Sequence, residues 1–274
     1  MKKFTVILLA ALLVAVPSCK NQNKTQEQNK DVDLSSKENI VSEELKVDVA
    51  NLVESAKKMK RMPFAEKTAD GKFALSEKEK MVKPDYLINP SIANDLVTLS
   101  QKYRTVAMLG IDIMIANIYG MPNTDYKEAV SKLLVDINDP ALTDYAGLDW
   151  SLVAPEEESE YLAEFIDEEY EQGRPQFFWE GVASSLVEQL YICTRDVDKF
   201  MPMFTDQVAA DVTYNFVCVH EGLIQMIKLY PEMEGLNTAL EPLYVINAIS
   251  VAQLREQLLQ LKGDIEAARA YLLK

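Results

Sequence analysis

The stretch of sequence that decides the fold is VAMLGIDIMIANIY, residues 106–119. Arranged as a helix, it carries apolar side chains on every side, interrupted only by Asp112 and Asn117. A helix that is apolar all round is buried by other elements instead of lying at a surface. Gly120 follows the run directly and is a typical residue for ending a helix. We therefore predict a central, buried helix over about residues 91–118, with the remaining chain packed around it.

Elsewhere the apolar residues also recur at helical spacing, and no segment shows the alternation typical of a strand. The predicted helices cover about residues 35–62, 91–118, 124–137, 155–172, 176–198 and 204–229, with one or two more from Pro242 to the C-terminus. Residues 63–84 are predicted to form a loop with one short helical turn, because Asp70-Gly71 and two prolines interrupt a helix. The predicted fold is all-α, a multi-helix bundle of about seven to nine helices whose neighbours are mostly antiparallel.

Residues 1–18 differ from everything after them. Lys2 and Lys3 precede an almost entirely apolar stretch, which is typical of a signal peptide. The stretch is shorter than the roughly 20 residues that a membrane-spanning helix needs. Val16-Pro17-Ser18-Cys19 resembles a lipobox, which implies cleavage before Cys19 and acylation of that cysteine. An ordinary secretory signal peptide with an incidental cysteine is the alternative.

The mature chain is predicted to have two parts. Residues 19–37 are rich in Asn, Gln, Lys and Ser and read as a disordered tether, whereas residues 38–274 form a single all-α domain. The formal net charge of the whole chain is −15, and removing the signal peptide takes away lysines but no acids. Such an acidic domain is a poor candidate for binding nucleic acid. We predict contact with the membrane through the N-terminal lipid only.

Catalytic motifs are scarce. The single histidine, His220, excludes metal sites that are built from several histidines. After Cys19 the chain has no Cys-x-x-Cys, no Gly-x-Ser-x-Gly and no glycine-rich phosphate or dinucleotide loop. We therefore predict no metal and no cofactor, and favour a non-enzymatic protein.

Polar residues within the apolar helices form a candidate polar cluster or pocket: Asp112, Glu180, Glu188, Tyr191 and His220. Three of them lie on the helix predicted over residues 176–198, at spacings that place them on one face together with Ser184. An ionised carboxylate inside a core is costly unless it is paired, and such groups often mark functional sites. Three interpretations stay open for this face: a solvated stripe, a hydrogen-bonded network between helices, or a ligand pocket.

Three segments resemble a family of uncharacterised Bacteroidetes lipoproteins: Tyr86-Leu-Ile-Asn-Pro90, the stretch from Lys102-Tyr103 to Leu109-Gly-Ile111, and Ser184-Ser-Leu-Val-Glu-Gln-Leu-Tyr191. Glu188 and Tyr191 match the family's last segment, whereas Ser184-Ser-Leu186 replaces its Gly-Gly-Trp. Ile115 stands where the family has an aspartate. The resemblance implies an all-α exported lipoprotein and implies no activity, cofactor or substrate.

Our leading hypothesis is a lipid-anchored cell-envelope protein that binds a protein partner or a small ligand. An envelope hydrolase using Glu180 and Glu188 is the main alternative, although eight residues of helix separate them by about 12 Å along the axis. A purely structural, oligomeric role is a third hypothesis. The stretch after Cys19, residues 20–24, is not acidic, so we predict a periplasm-facing outer-membrane lipoprotein.

The two cysteines after Cys19, Cys193 and Cys218, are predicted to be free and buried. If the chain turns near Met201, they are offset by about nine residues, or roughly 13 Å of helix. A disulfide needs Cα atoms within about 7 Å. Thiol titration of the unfolded, unreduced chain lacking residues 1–19 should therefore count both cysteines. A count of zero would contradict the prediction.

Overall fold

The computed structural model describes residues 43–64, 75–148 and 157–274. The predicted signal peptide, Cys19 and the predicted tether lie outside these residues. Within the described ranges all regular structure is helical and no strand is present, which confirms the all-α prediction. None of the helices in this part of the chain is long and apolar enough to cross a membrane.

The described residues contain 12 α-helices, more than the seven to nine predicted. They are α1 (Glu43–Ala56), α2 (Glu77–Lys80), α3 (Leu99–Ile118), α4 (Thr124–Ile137), α5 (Pro140–Ala146), α6 (Glu158–Glu171), α7 (Pro175–Arg195), α8 (Val197–Phe200), α9 (Asp206–Leu229), α10 (Glu234–Leu240), α11 (Val251–Gln260) and α12 (Lys262–Leu272). Short 3-10 turns cover Pro90–Asn94, Met201–Met203, Pro231–Met233 and Glu241–Val245. The number is higher because several predicted loops and helix ends form short helices of their own.

The central helix begins later than predicted, at Leu99 instead of residue 91. Thr98 and Gln101 form a capping box: the Thr98 hydroxyl accepts from the Gln101 amide at 3.2 Å, and the Gln101 side chain accepts from the Thr98 amide at 2.8 Å. These bonds satisfy amides that have no partner inside the helix. Residues 90–94 instead form a separate 3-10 turn capped by Asn89.

Helix α1 ends at Ala56, before the predicted end near Pro63. A few residues further on, two backbone amides bond to side chains of other helices: Lys60 donates to Asn215 of α9 at 3.3 Å, and Met62 donates to Gln189 of α7 at 2.8 Å. A backbone held by neighbouring side chains in this way does not continue the helical ladder.

An unpredicted helix, α5, follows directly after α4. Pro140 occupies its first turn, where a missing amide hydrogen costs nothing, and Asp139 caps it by accepting from the Ala141 amide at 3.0 Å. Pro140 therefore begins a new helix three residues after the end of α4 at Ile137.

The prediction of a buried central helix is confirmed, because Met108, Leu109 and Ile115 of α3 have no exposed surface. Helix α3 packs most extensively against α7, and also contacts α4 and α12. Cys193 and Cys218 are both buried and free, as predicted.

Close packing of α7 against α9 depends on a glycine. Trp179 of α7 is fully buried, and a methyl group at Gly222 of α9 would lie 2.5 Å from its ring carbons. Packed interiors leave no room for such a group, so one of the two helices would have to shift.

Replacing Gly222 by alanine is therefore expected to lower the free energy of unfolding by about 1–3 kcal/mol, because overpacking forces a backbone shift. Gly110 of α3 is the matched control, since nothing lies within 4 Å of a methyl group there. Its change to alanine should raise the free energy of unfolding by roughly 0.5–1 kcal/mol. Urea denaturation measures the free energy of unfolding of both variants. If the two substitutions changed it in the same direction, the packing explanation for Gly222 would be contradicted.

Candidate functional site

The acidic face of α7 lies inside the protein. Glu180 is 6 % exposed, and Ser184 and Glu188 are fully buried. Helices α3 and α12 pack against α7, so the solvated-stripe interpretation is wrong. Ser184 donates to the Glu180 carbonyl at 2.7 Å and satisfies itself within its own helix.

Glu188 is paired with Arg269, which reaches it from α12. Arg269 Nε donates to Glu188 Oε2 at 2.6 Å, and Arg269 Nη2 donates to Oε1 at 2.9 Å. Arg269 Nη2 also donates to the Tyr86 carbonyl at 3.3 Å, and its guanidinium carbon lies 4.0 Å from the centre of the Tyr191 ring. We call Asp112, Glu188, Tyr191, Arg269 and the Tyr86 carbonyl the Arg269 cluster.

Asp112 forms the inner side of the Arg269 cluster. Its Oδ2 accepts from the Ile88 amide at 2.8 Å, and its side chain is fully buried. Burial and the nearby charge of Glu188 raise the pKa of Asp112 well above its ordinary value. Burial also raises the pKa of Glu188, but Arg269 opposes this effect. Asp112 is therefore the neutral acid, and Glu188 carries the charge that balances Arg269.

A more exposed network adjoins the cluster through Tyr86. The Tyr86 ring meets the Tyr191 ring edge-on, with centroids 6.2 Å apart. The Tyr86 hydroxyl donates to Asp196 Oδ2 at 2.5 Å, and Asp196 is also paired with Lys199 at 2.9 Å. These contacts fix the loop that supplies the Tyr86 carbonyl to Arg269.

The other two predicted site residues lie apart from the Arg269 cluster. Glu180 accepts from the Ser100 hydroxyl at 3.0 Å and lies 3.6 Å from Arg104 Nε. His220 of α9 is half-buried and stacks on Tyr244, with ring centroids 4.0 Å apart. The structure thus brings Asp112, Glu188 and Tyr191 together and separates Glu180 and His220 from them.

A second buried cluster was not predicted from the sequence. The Tyr103 hydroxyl donates to Asp139 Oδ2, Arg174 Nη2 lies 3.0 Å from Asp139 Oδ1, and Glu169 lies beside both. Burial, followed by its contact with Asp139, raises the pKa of Glu169 to about 9. Although burial opposes it, hydrogen bonds from Glu169 and Tyr103 hold the pKa of Asp139 below its ordinary value. At neutral pH Asp139 therefore carries the charge and Glu169 the proton.

Sequence signals for the missed residues do exist. Glu169 follows Phe165 and Ile166 by four and three residues, so it belongs to the apolar face of α6. Arg269 holds the same kind of position after Ile265 in α12. A single charge on an otherwise apolar helical face indicates a buried ion pair, although the partner is not identified by that pattern.

Among the residues that the structure describes, no group of three or more His, Cys, Asp or Glu side chains is arranged to hold a metal ion. Two open depressions of about 550 and 360 Å³ lie along α11 and the segment before it, and they are lined by residues such as Arg255, Leu259 and Gln253. Neither depression includes a residue of the Arg269 cluster.

The chain was also compared with known proteins. No protein-family model, no curated protein and no solved structure matches it. The case for a function therefore depends on the sequence and on the geometry described above.

The Glu169 carboxyl predicts a pH dependence of stability. Its pKa is about 9 in the folded protein against an ordinary value of 4.5, so the unfolded chain loses this proton first as the pH rises. The free energy of unfolding should therefore fall by a few kcal/mol between these two pH values, because each pKa unit corresponds to about 1.4 kcal/mol.

Replacing Glu169 by glutamine removes this titration, so the variant should lose less stability than the original between pH 5 and pH 9. Glutamine at the exposed Glu171 of the same helix is the matched control and should leave the pH profile unchanged. Chemical denaturation at each pH gives the profiles. Parallel profiles for the original and the Glu169 variant would show that this proton does not stabilise the fold.

Proposed function

We propose that this chain is a lipid-anchored protein of the bacterial cell envelope whose all-α domain binds a partner and does not catalyse a reaction. The N-terminal pattern around Cys19 supports the anchor, and the polar stretch after it supports a flexible connection to the helical domain. In this proposal the protein is attached to the outer membrane and faces the periplasm. Membership of the Bacteroidetes lipoprotein family that it resembles is part of the same proposal.

The different partners of the two α7 carboxylates are the observation that most favours binding over hydrolysis. A glycosidase-type pair needs two carboxyl groups roughly 5–9.5 Å apart around one substrate. Here Glu188 is held by Arg269 of α12, and Glu180 faces Ser100 and Arg104 of α3. Each acid is directed into its own internal contact, which is the arrangement expected of groups that stabilise a fold.

The anchor can be tested by metabolic labelling with an alkyne analogue of palmitate. The full-length chain should incorporate the label and fractionate with membranes, whereas the Cys19→Ser variant should do neither, because the acyl chains attach at that sulfur. Labelling of the serine variant at the original level would contradict the proposed anchor.

The choice between binding and hydrolysis can be tested on the detergent-extracted protein. Light scattering after size exclusion should detect a complex with another polypeptide, heavier than the chain alone. Chromogenic glycosides, esters and peptides should be turned over no faster by the original than by the Glu188→Gln variant. Turnover that this substitution abolishes would favour the hydrolase instead.

A further inference from the structure

Arg269 is held by three kinds of contact that are typical of a guanidinium-binding site: paired hydrogen bonds to a carboxylate, a bond to a carbonyl oxygen, and stacking on an aromatic ring. Two nitrogens meet both oxygens of Glu188 at 2.6 and 2.9 Å, and one of them also meets the Tyr86 carbonyl at 3.3 Å. The face of the group stacks on Tyr191 at 4.0 Å. An ammonium group cannot make this planar, two-pronged and stacked set of contacts.

The receiving side of this arrangement is built without α12. Glu188 and Tyr191 belong to α7, Asp112 to α3, and the Tyr86 carbonyl to the loop before α3. Asp112 Oδ2 is fixed by the Ile88 amide, and the Asp112 carboxyl lies beside that of Glu188. Movement of α12 would therefore remove the guanidinium group and leave its binding site in place.

Helix α12 is a short element that packs on the outer side of α7. It has 11 residues; its fully buried side chains are Ile265, Ala268 and Leu272, and Tyr271 packs partly buried against the same core. An exposed ion pair between Arg195 and Glu266, at 3.7 Å, adds little. The Arg269 side chain is itself 13 % exposed, so it lies near the surface of the protein. Short peripheral helices open at a lower free energy than the central ones.

We propose that Glu188, Tyr191, Asp112 and the Tyr86 carbonyl form a guanidinium-binding site that Arg269 occupies in cis and that an arginine side chain of a partner occupies when α12 moves away. This inference rests on the proposed binding function and names the chemistry of the partner. The net charge of −15 supports it, since an acidic protein attracts basic segments at long range.

Chemical rescue tests the site. In the full-length Arg269→Ala variant, methylguanidinium should restore stability, whereas methylammonium and sodium chloride at equal ionic strength should not. At 50 mM probe and a low-millimolar Kd, the unfolding equilibrium constant should fall roughly 10-fold. The Arg255→Ala variant is the matched control, because Arg255 pairs with Asp198 at the surface. Equal responses of the two variants, or equal responses to both cations, would overturn the proposal.

A second measurement uses the original protein and does not depend on the folding of a variant. Amides of α12 should exchange with deuterium faster than amides of α3, and a tetra-arginine peptide should accelerate them further, whereas tetra-lysine should not. If the amides of α12 exchanged as slowly as those of α3 and did not respond to the peptide, the proposal that α12 moves away to admit a partner arginine would be overturned. A negative result in these two experiments would not contradict the proposed anchored binding function, because acylation and complex formation are measured separately.

Discussion

The ion pair between Glu188 and Arg269 is the interaction on which much of the structure depends. Glu188 is fully buried, and a buried charge without a counter-ion costs about 3–5 kcal/mol. That cost is a large part of the 5–15 kcal/mol that stabilises a typical domain. The need of Glu188 for a counter-ion holds α12 against α7. It also requires Asp112 to remain neutral, because one arginine could not balance two adjacent carboxylates.

The same solution appears again at Glu169. There too, two carboxyl groups lie together and one arginine balances one charge, although here a tyrosine hydroxyl, and not a tyrosine ring, contacts the charged groups. Both clusters include a residue of α3, Tyr103 in one and Asp112 in the other. Helix α3 is therefore both the apolar centre of the fold and the element that joins its two buried ionic clusters, which connect segments far apart in the sequence.

Apolar periodicity predicted the fold class and the central helix, because burial of a helix on all sides leaves a direct signature at residues 106–119. It misplaced the start of α3, since the capping box at Thr98 depends on local hydrogen bonds that the apolar pattern does not register. Asp112, Glu188 and Tyr191 were identified as unusual, but Arg269 was not identified as their partner. Spacing along one helix shows which residues share a face and does not show which other helix covers that face.

The contact between Trp179 and Gly222 has a practical consequence for spectroscopy. The Trp179 indole is fully buried, and its Nε1 donates to the Tyr170 hydroxyl at 3.2 Å. An indole shielded from water emits at shorter wavelengths than a solvated one, so its fluorescence reports directly on whether α7 and α9 are together. The chain has two tryptophans, and replacing Trp150 by phenylalanine would make that emission a single-site reporter without any added dye.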